Sequence, residues 1–294
     1  MSNYIISCCS TCDLTKEHLD ERDIKYAYFH YYLNGKEYPD DLGQTMPFDK
    51  FYEELKNGAD TRTSQINADE FVKFWTPFLE EGKDILHVSL SSGISGVYNS
   101  ACAAAEIVRE SYPERKITVV DSLSASSGYG LMLDMLADLR DEGKTIDELE
   151  GWILENRQRF QHWFFSTDLT FFVKGGRISK TAGFIGGLLK ICPLMNVDRA
   201  GKLIPREKHR TKKNAIKAAF GKMVENAKDG KDYSGKCFIS NSACEEDAKE
   251  LAALIEDYFE KLDGKVRIMS IGTTIGSHTG PGTVALFFFG KERA

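Results

Sequence analysis

The sequence lacks the features that would assign it to several common classes of protein. It contains no run of about 18 apolar residues that could span a bilayer, and residues 1–4 carry no basic region of the kind that opens a signal peptide. A net charge of −6 disfavours a nucleic-acid-binding protein. The seven cysteines are an odd number in a chain with a large apolar core, which favours reduced thiols over a disulfide framework. We therefore expect a cytoplasmic protein that binds no nucleic acid.

Motifs for phosphate binding and for serine hydrolysis are also missing. Neither glycine-rich stretch, residues 175–180 or residues 183–187, matches a phosphate-binding loop or a dinucleotide fingerprint. No Gly-x-Ser-x-Gly elbow is present. Apolar side chains at Phe184 and Ile185, followed by Leu188 and Leu189, favour instead a mobile covering element. Such a lid suits an apolar ligand.

A Cys-x-x-Cys sequence, Cys9-Ser10-Thr11-Cys12, follows the first predicted strand. A thiol oxidoreductase would use this position, but the aromatic and proline neighbours of such enzymes are absent and Cys8 lies beside it. A single Cys-x-x-Cys is also only half of a structural zinc site. We expect small buried thiols here and predict neither a metal site nor a cofactor, while a thiol enzyme that uses Cys9 and Cys12 stays an alternative.

The order of apolar segments predicts an α/β protein. Strands at residues 85–90 and 117–120 alternate with helices at residues 97–112 and 126–140, which is typical of βαβ units with a parallel sheet. Residues 24–46 alternate apolar and polar side chains around an Asn-Gly turn, so we expect a small antiparallel insertion there.

The length of 294 residues allows two domains. We place an N-terminal α/β domain at residues 1–160 and a C-terminal α/β domain at residues 161–294.

Three segments rich in Ser, Thr and Gly are each predicted to follow an apolar strand: Thr63-Ser64-Gln65, residues 91–96 and residues 276–282. Loops that leave the carboxyl ends of parallel strands form the ligand crevice of such sheets. Short hydroxyl side chains and glycines let O–H and N–H donors converge on an anion. These segments therefore predict a site for a carboxylate or a phosphate.

The segment at residues 91–96 opens a helix, where free amides and a positive helix end suit an oxyanion. Plain N-capping by Ser92 or Ser95 is the alternative. His278 lies within the third segment. A hydrolase that uses Ser95 with His278 is therefore a second functional alternative.

Basic residues are concentrated between Lys174 and Lys217, where twelve lysines and arginines stand against two acidic residues. The stretch is either a solvated face that is balanced by acidic helices elsewhere or a docking surface for an acidic or phosphate-carrying partner.

Taken together, these segments resemble the DegV family, the fatty-acid-binding subunits of bacterial fatty acid kinase. The similarity runs nearly from end to end. The matching motifs are Ser10-Thr11-Cys12-Asp13-Leu14, Thr63-Ser64-Gln65, residues 90–98 with Ser100-Ala101, Asp121-Ser122, residues 173–178, residues 188–191 before Pro193, Arg210-Thr211-Lys212-Lys213 with Ala215, and His278-Thr279-Gly280-Pro281-Gly282.

The resemblance implies two α/β domains with a long acyl chain in a tunnel between them. It also implies that a separate ATP-dependent kinase phosphorylates the bound carboxylate, so that this chain is a carrier and not an enzyme. A transient membrane contact is compatible with that role. The implied ligand-binding residues are Thr63, Ser64, Ser92, Ser95 and His278, and the implied kinase-docking residues are Lys174, Arg177, Arg210 and Lys212.

Two positions depart from the family pattern. Cys9 stands where the family usually has Asp, which removes a charge and a hydrogen-bond acceptor near the first turn. Ile66 stands where Pro is usual, which changes only local stiffness. We expect fatty-acid binding to survive both changes and ligand preference to shift.

Overall fold

The computed structural model describes residues 3–178 and 191–294. The strands are β1 (Tyr4–Cys9), β2 (Ile24–Ala27), β3 (His30–Leu33), β4 (Lys36–Pro39), β5 (Thr61–Ser64), β6 (Asp84–Ser89), β7 (Ile117–Asp121), β8 (Phe160–Ser166), β9 (Cys192–Val197), β10 (Leu203–His209), β11 (Cys237–Asn241), β12 (Arg267–Ser270) and β13 (Thr283–Phe289). The α-helices are α1 (Lys16–Glu21), α2 (Phe48–Lys56), α3 (Ala68–Glu80), α4 (Val97–Ser111), α5 (Ser126–Asp141), α6 (Ile146–Asn156), α7 (Thr170–Lys174), α8 (Lys212–Asn226), α9 (Glu245–Tyr258) and α10 (Thr273–Thr279).

The first sheet is parallel, as the alternation of strands and helices predicts. Its order is β2-β1-β6-β7, and every neighbouring pair is parallel. The loops after β1, β6 and β7 therefore lie at one edge of this sheet. The predicted α/β class is confirmed.

The second sheet has the order β10-β9-β8-β13-β11-β12 and is antiparallel except for the pair of β11 and β12. Helix α5 packs against β8, β11 and β13 on this sheet and is buried along most of its length. The largest apolar core forms around α5. The domain boundary predicted after residue 160 falls at the start of β8, and the division into two domains stays a prediction.

A third, antiparallel sheet has the order β4-β3-β5. Asn34 and Gly35 both have positive φ at its hairpin, as a type I′ turn requires. The antiparallel strands begin at His30, whereas β2 pairs in parallel with β1, so residues 24–27 belong to the first sheet. The alternation of apolar and polar side chains does not distinguish a strand with a parallel neighbour from one with an antiparallel neighbour.

Local signals position several helices. Asn67 and Thr145 each form a capping box with a glutamate three residues later, at the starts of α3 and α6. No helix in residues 3–178 or 191–294 combines the length and the apolar character that a membrane crossing needs. The lid predicted around Phe184 and Ile185 lies outside the described residues.

Candidate functional site

A cavity whose empty space, including space open to solvent, amounts to about 750 Å³ lies where loops of the parallel sheet meet strands β8 and β13. Its wall is mostly apolar and takes residues from both halves of the chain, including Phe29, Leu90, Ile94, Phe164, Phe172 and Phe287. A few polar side chains interrupt this surface.

Thr63 and His278 form the central polar contact of the wall. The Oγ1 atom of Thr63 lies 2.8 Å from Nε2 of His278, and both residues line the cavity. Thr63 belongs to β5 and does not follow a strand, while His278 lies in the last turn of α10 and not in a loop. Because side chains alternate along a strand, Ser64 is exposed and lies outside the cavity wall.

His278 is held neutral by its surroundings. Burial lowers its pKa to about 3, and the charge of Arg177 adds to the shift. Its Nδ1 atom is buried and has no hydrogen-bond partner among the described residues. That atom faces Gly175, where an added Cβ would lie 2.2 Å from Nδ1. The ring can keep its position only because residue 175 has no side chain.

Replacing Gly175 by alanine should therefore displace the His278 ring and weaken binding of a ligand at Thr63 by about tenfold or more, since one hydrogen bond to a charged group is worth about 1.5–3 kcal/mol. Gly151→Ala is the matched control, because a Cβ at that position in α6 meets no atom within 4 Å. Ligand titration of both variants provides the measurement. Equal affinities for the two variants would contradict this account of Gly175.

The serines of residues 91–96 have different surroundings. Ser95 lines the cavity, and its Oγ accepts a hydrogen bond of 3.2 Å from the backbone N–H of Val97 at the start of α4. Ser92 is exposed and lies outside the cavity wall, and its backbone N–H donates to the Asp121 carboxylate at 3.1 Å. Ser91 is buried and donates to the backbone oxygen of Gly201 at 2.8 Å. Ser95 is the serine of this segment that a ligand in the cavity can reach.

Arg177 lines the cavity as well. Its guanidinium donates to the backbone oxygens of Gly175 at 2.6 Å and Ile94 at 3.3 Å. No carboxylate forms a salt bridge with Arg177 within residues 3–178 and 191–294. The half-buried cation therefore places a positive charge beside His278.

The other basic residues predicted to dock a kinase lie on the surface. Lys174 pairs with Asp60, and Lys212 pairs with Asp247 at 2.6 Å. Arg210 is exposed and has no ion pair in the part of the chain that the structure describes. Arg177 thus lies in the cavity wall, whereas the other three residues predicted to dock a kinase lie on the surface.

The two enzymatic alternatives lack their expected geometry. His278 Nε2 contacts Thr63, and no hydrogen bond joins Ser95 to His278 in the described ranges. Cys9 and Cys12 are fully buried, and burial raises the pKa of the Cys9 thiol. No group of three or more His, Cys, Asp or Glu residues that could hold a metal ion occurs among the described residues.

Sequence reasoning missed a polar contact in the cavity wall between Ser126 and Asp13. The hydroxyl of Ser126 donates to the Asp13 carboxyl, and Ser126 lines the cavity. Both residues have positive φ, +54° for Ser126 and +51° for Asp13. Asp13 belongs to one of the matching motifs, but its contact with a residue more than 100 positions away depends on tertiary packing.

Comparison with known proteins identifies the family. A family model described as "Uncharacterised protein, DegV family" matches residues 6–291. The DegV domain-containing protein CPE0026 of Clostridium perfringens is 36% identical over 293 residues, covering 100% of this chain and 99% of that protein.

Two solved structures from Thermotoga maritima share the fold. A DegV lipid binding protein (tm1468) has a TM-score of 0.83 and 28% identity, with 100% of both chains covered. The protein TM841, whose structure is described as revealing fatty acid binding function, has a TM-score of 0.83 and 27% identity, covering 99% of this chain and 100% of that one. The resemblance seen in the motifs is confirmed, and the chain belongs to the DegV family.

Proposed function

We propose that this protein binds a long-chain fatty acid, with the carboxylate at Thr63, Ser95 and His278 and the hydrocarbon tail in the apolar cavity. One observation carries the proposal: the Arg177 cation, which has no salt bridge among the described residues, and the Thr63–His278 pair lie together in the wall of a mostly apolar cavity. A fatty acid is the common ligand that combines one negative charge with a long apolar body. The fatty-acid and lipid binding described for the two Thermotoga maritima relatives supports the same ligand class.

The apolar wall would supply most of the affinity. Burying a methylene is worth about 0.8 kcal/mol, so a tail of about fifteen could contribute on the order of 10 kcal/mol before ordering costs. A hydrogen bond to the carboxylate adds about 1.5–3 kcal/mol. The polar residues therefore serve mainly to fix which end of the ligand lies at Thr63.

The neutral His278 ring would set the direction of the Thr63 hydroxyl. If Nε2 carries the ring proton, it donates to Thr63 Oγ1 and leaves the Thr63 hydrogen free to donate to the carboxylate. The Ser95 hydroxyl hydrogen is also free, since its Oγ acts as acceptor from Val97. Two O–H donors and the Arg177 charge would thus face one carboxylate.

In the same proposal a separate ATP-dependent kinase phosphorylates the carboxylate to an acyl phosphate, and this protein presents the substrate and carries the product. The family resemblance of the motifs supports this division of labour, as does the absence of an assembled Ser95–His278 pair from the described residues. The protein would need no cofactor of its own. Arg210, with Lys174 and Lys212, would face the kinase.

Native mass spectrometry of the gently purified protein tests the ligand. We expect an added mass equal to that of a fatty acid, which is lost on delipidation and restored by palmitate. An empty protein that gains no mass from palmitate, and that hydrolyses an acyl ester unaided, would overturn the proposal in favour of an enzyme.

A further inference from the structure

Asp13 connects two parts of the cavity wall that come from opposite ends of the chain. Its Oδ1 accepts a hydrogen bond of 2.9 Å from the backbone N–H of Gly272, directly before α10, and its other carboxyl oxygen accepts from Ser126. Helix α10 carries His278, and Ser126 begins α5. One carboxyl group therefore fixes the start of the helix that bears His278 relative to a hydroxyl of the wall.

The backbone at both ends of the Ser126–Asp13 contact is unusual. Residues other than glycine rarely adopt positive φ, and such residues persist where the surroundings determine them. The contact is buried, since Asp13 is 5% exposed and Ser126 is 6% exposed. The conformation is thus set by this contact and by the packing around it.

A second buried carboxyl lies close to the first. A Cβ built on Gly272 would lie 2.9 Å from Oδ1 of Asp13 and 3.6 Å from Oδ1 of Asp40. Asp40 accepts a hydrogen bond of 2.8 Å from the Thr273 hydroxyl and one of 3.1 Å from Ser10. Two buried carboxyls at such close range disfavour a second negative charge.

We propose that Asp13 is a positioning residue of the fatty-acid site. While its carboxyl is neutral, Asp13 holds Ser126 and the start of α10 in place. When the carboxyl ionises, the affinity of the site for an anionic ligand falls. This inference rests on the proposed fatty-acid binding. In the structure Ser126 donates to Asp13, and protonation of Asp13 would reverse this bond, because the neutral carboxyl can donate its own proton to Ser126 Oγ and free the Ser126 hydrogen to point into the cavity. An ionised Asp13 must accept that hydrogen and adds a negative charge beside an anionic ligand.

The titration of Asp13 falls in an accessible range. Burial raises its pKa to about 8 despite the hydrogen bonds from Ser126 and Gly272, and the charge of Asp40 adds to the rise. Tyr52 of α2 also lies near, and the Asp13 charge contributes to its raised pKa. From α1, Lys16 and Glu17 line the outer groove beside Asp13 with opposite charges.

The sign of the effect follows from linkage. A ligand carboxylate disfavours the ionised form of Asp13, so the bound protein keeps the Asp13 proton to a higher pH than the free protein. Above pH 8, binding then takes up a proton and the Kd rises with pH, by at most tenfold per pH unit. The same carboxyl lowers the stability of the fold as the pH rises from about 4 to about 8, because over that range the folded state holds a proton that the unfolded state has released.

Asp13→Asn tests the proposal, because the amide accepts from Gly272 and donates to Ser126 as the neutral acid does. The Kd for palmitate is measured from pH 7 to pH 9.5 for the unmodified protein, for Asp13→Asn and for Asp20→Asn, an exposed acid of α1. From pH 7 to pH 9.5, the ratio of the Kd of the unmodified protein to the Kd of Asp13→Asn should rise by about fivefold or more. Asp20→Asn should follow the unmodified protein. Taking the ratio of two Kd values at each pH cancels any pH dependence that comes from palmitate itself.

A ratio that stays constant across this pH range, with palmitate bound by both proteins, would overturn the role of Asp13. Failure of the unmodified protein to bind palmitate at any pH would instead overturn the proposed function. Should Asp13→Asn fail to fold, calorimetry of the unmodified protein at pH 8.5 in buffers of different ionisation enthalpy decides the matter. Uptake of a proton on palmitate binding supports the proposal, and its absence contradicts it.

Discussion

Replacing Thr63 by valine is expected to weaken palmitate binding by about 10- to 100-fold. The substitution removes one hydrogen-bond donor to a charged group, which is worth about 1.5–3 kcal/mol. Valine keeps the β-branched shape that suits strand β5. The tail contacts are untouched, so binding should be weakened and not abolished.

The neighbouring residue supplies the matched control. Ser64 lies on the same strand but is exposed and outside the cavity wall, so Ser64→Ala should bind palmitate as the unmodified protein does. Fluorescence titration with a displaceable fatty-acid probe gives the affinities, and thermal unfolding checks the fold of each variant. An equal loss of palmitate affinity in both variants would show that the ligand carboxylate does not lie at the Thr63–His278 pair.

Ser95 should act together with Thr63. Ser95→Ala is expected to weaken binding, whereas Ser92→Ala should not, because Ser92 is exposed and outside the cavity wall. The double variant at positions 63 and 95 should lose less than the sum of the single losses, since both donors share one acceptor. Strict additivity in this cycle would place the two hydroxyls at separate parts of the ligand.

The parts of the fold that local patterns determine were predictable from the sequence. Apolar runs that alternate with helical segments predicted the parallel sheet, and the glutamates three residues after Asn67 and Thr145 form the local pattern that starts two helices. Once strands are parallel, their carboxyl-end loops must share an edge, so the position of the segment around Ser95 followed from topology. Residue type and position together predicted that part of the cavity wall.

Other features depend on tertiary contacts that no local pattern records. Strand β5 reads Thr-Arg-Thr-Ser, which lacks apolar alternation, and it becomes a strand because β3 pairs with it. Arg177 stands within a basic stretch and was grouped with surface residues, but its backbone contacts bring it into the cavity wall. The positive φ of Asp13 and Ser126 likewise arises from a contact between distant segments.

The second large effect is expected at the exposed basic face. Arg210 and Lys213 are exposed and form no ion pair in the described residues, whereas Lys212 is already paired with Asp247. Replacing Arg210 and Lys213 by glutamine should therefore remove charge that is available to a partner without breaking an internal pair. Surface substitutions of this kind usually change stability by no more than about 0.5 kcal/mol.

In a reconstituted assay with ATP and a fatty acid kinase catalytic subunit, the double variant should form acyl phosphate at least tenfold more slowly than the unmodified protein, while palmitate binding and the Tm stay unchanged. Lys249→Gln is the matched control, because it removes an exposed cation of α9 that pairs with Glu245 and Glu246 of its own helix. Raised ionic strength should lower the rate of acyl-phosphate formation with the unmodified protein towards the rate with the double variant. The reason is that exposed charges are screened beyond about 8 Å at physiological salt. Normal rates for the double variant at every salt concentration would show that Arg210 and Lys213 belong to a solvated face and do not dock the kinase.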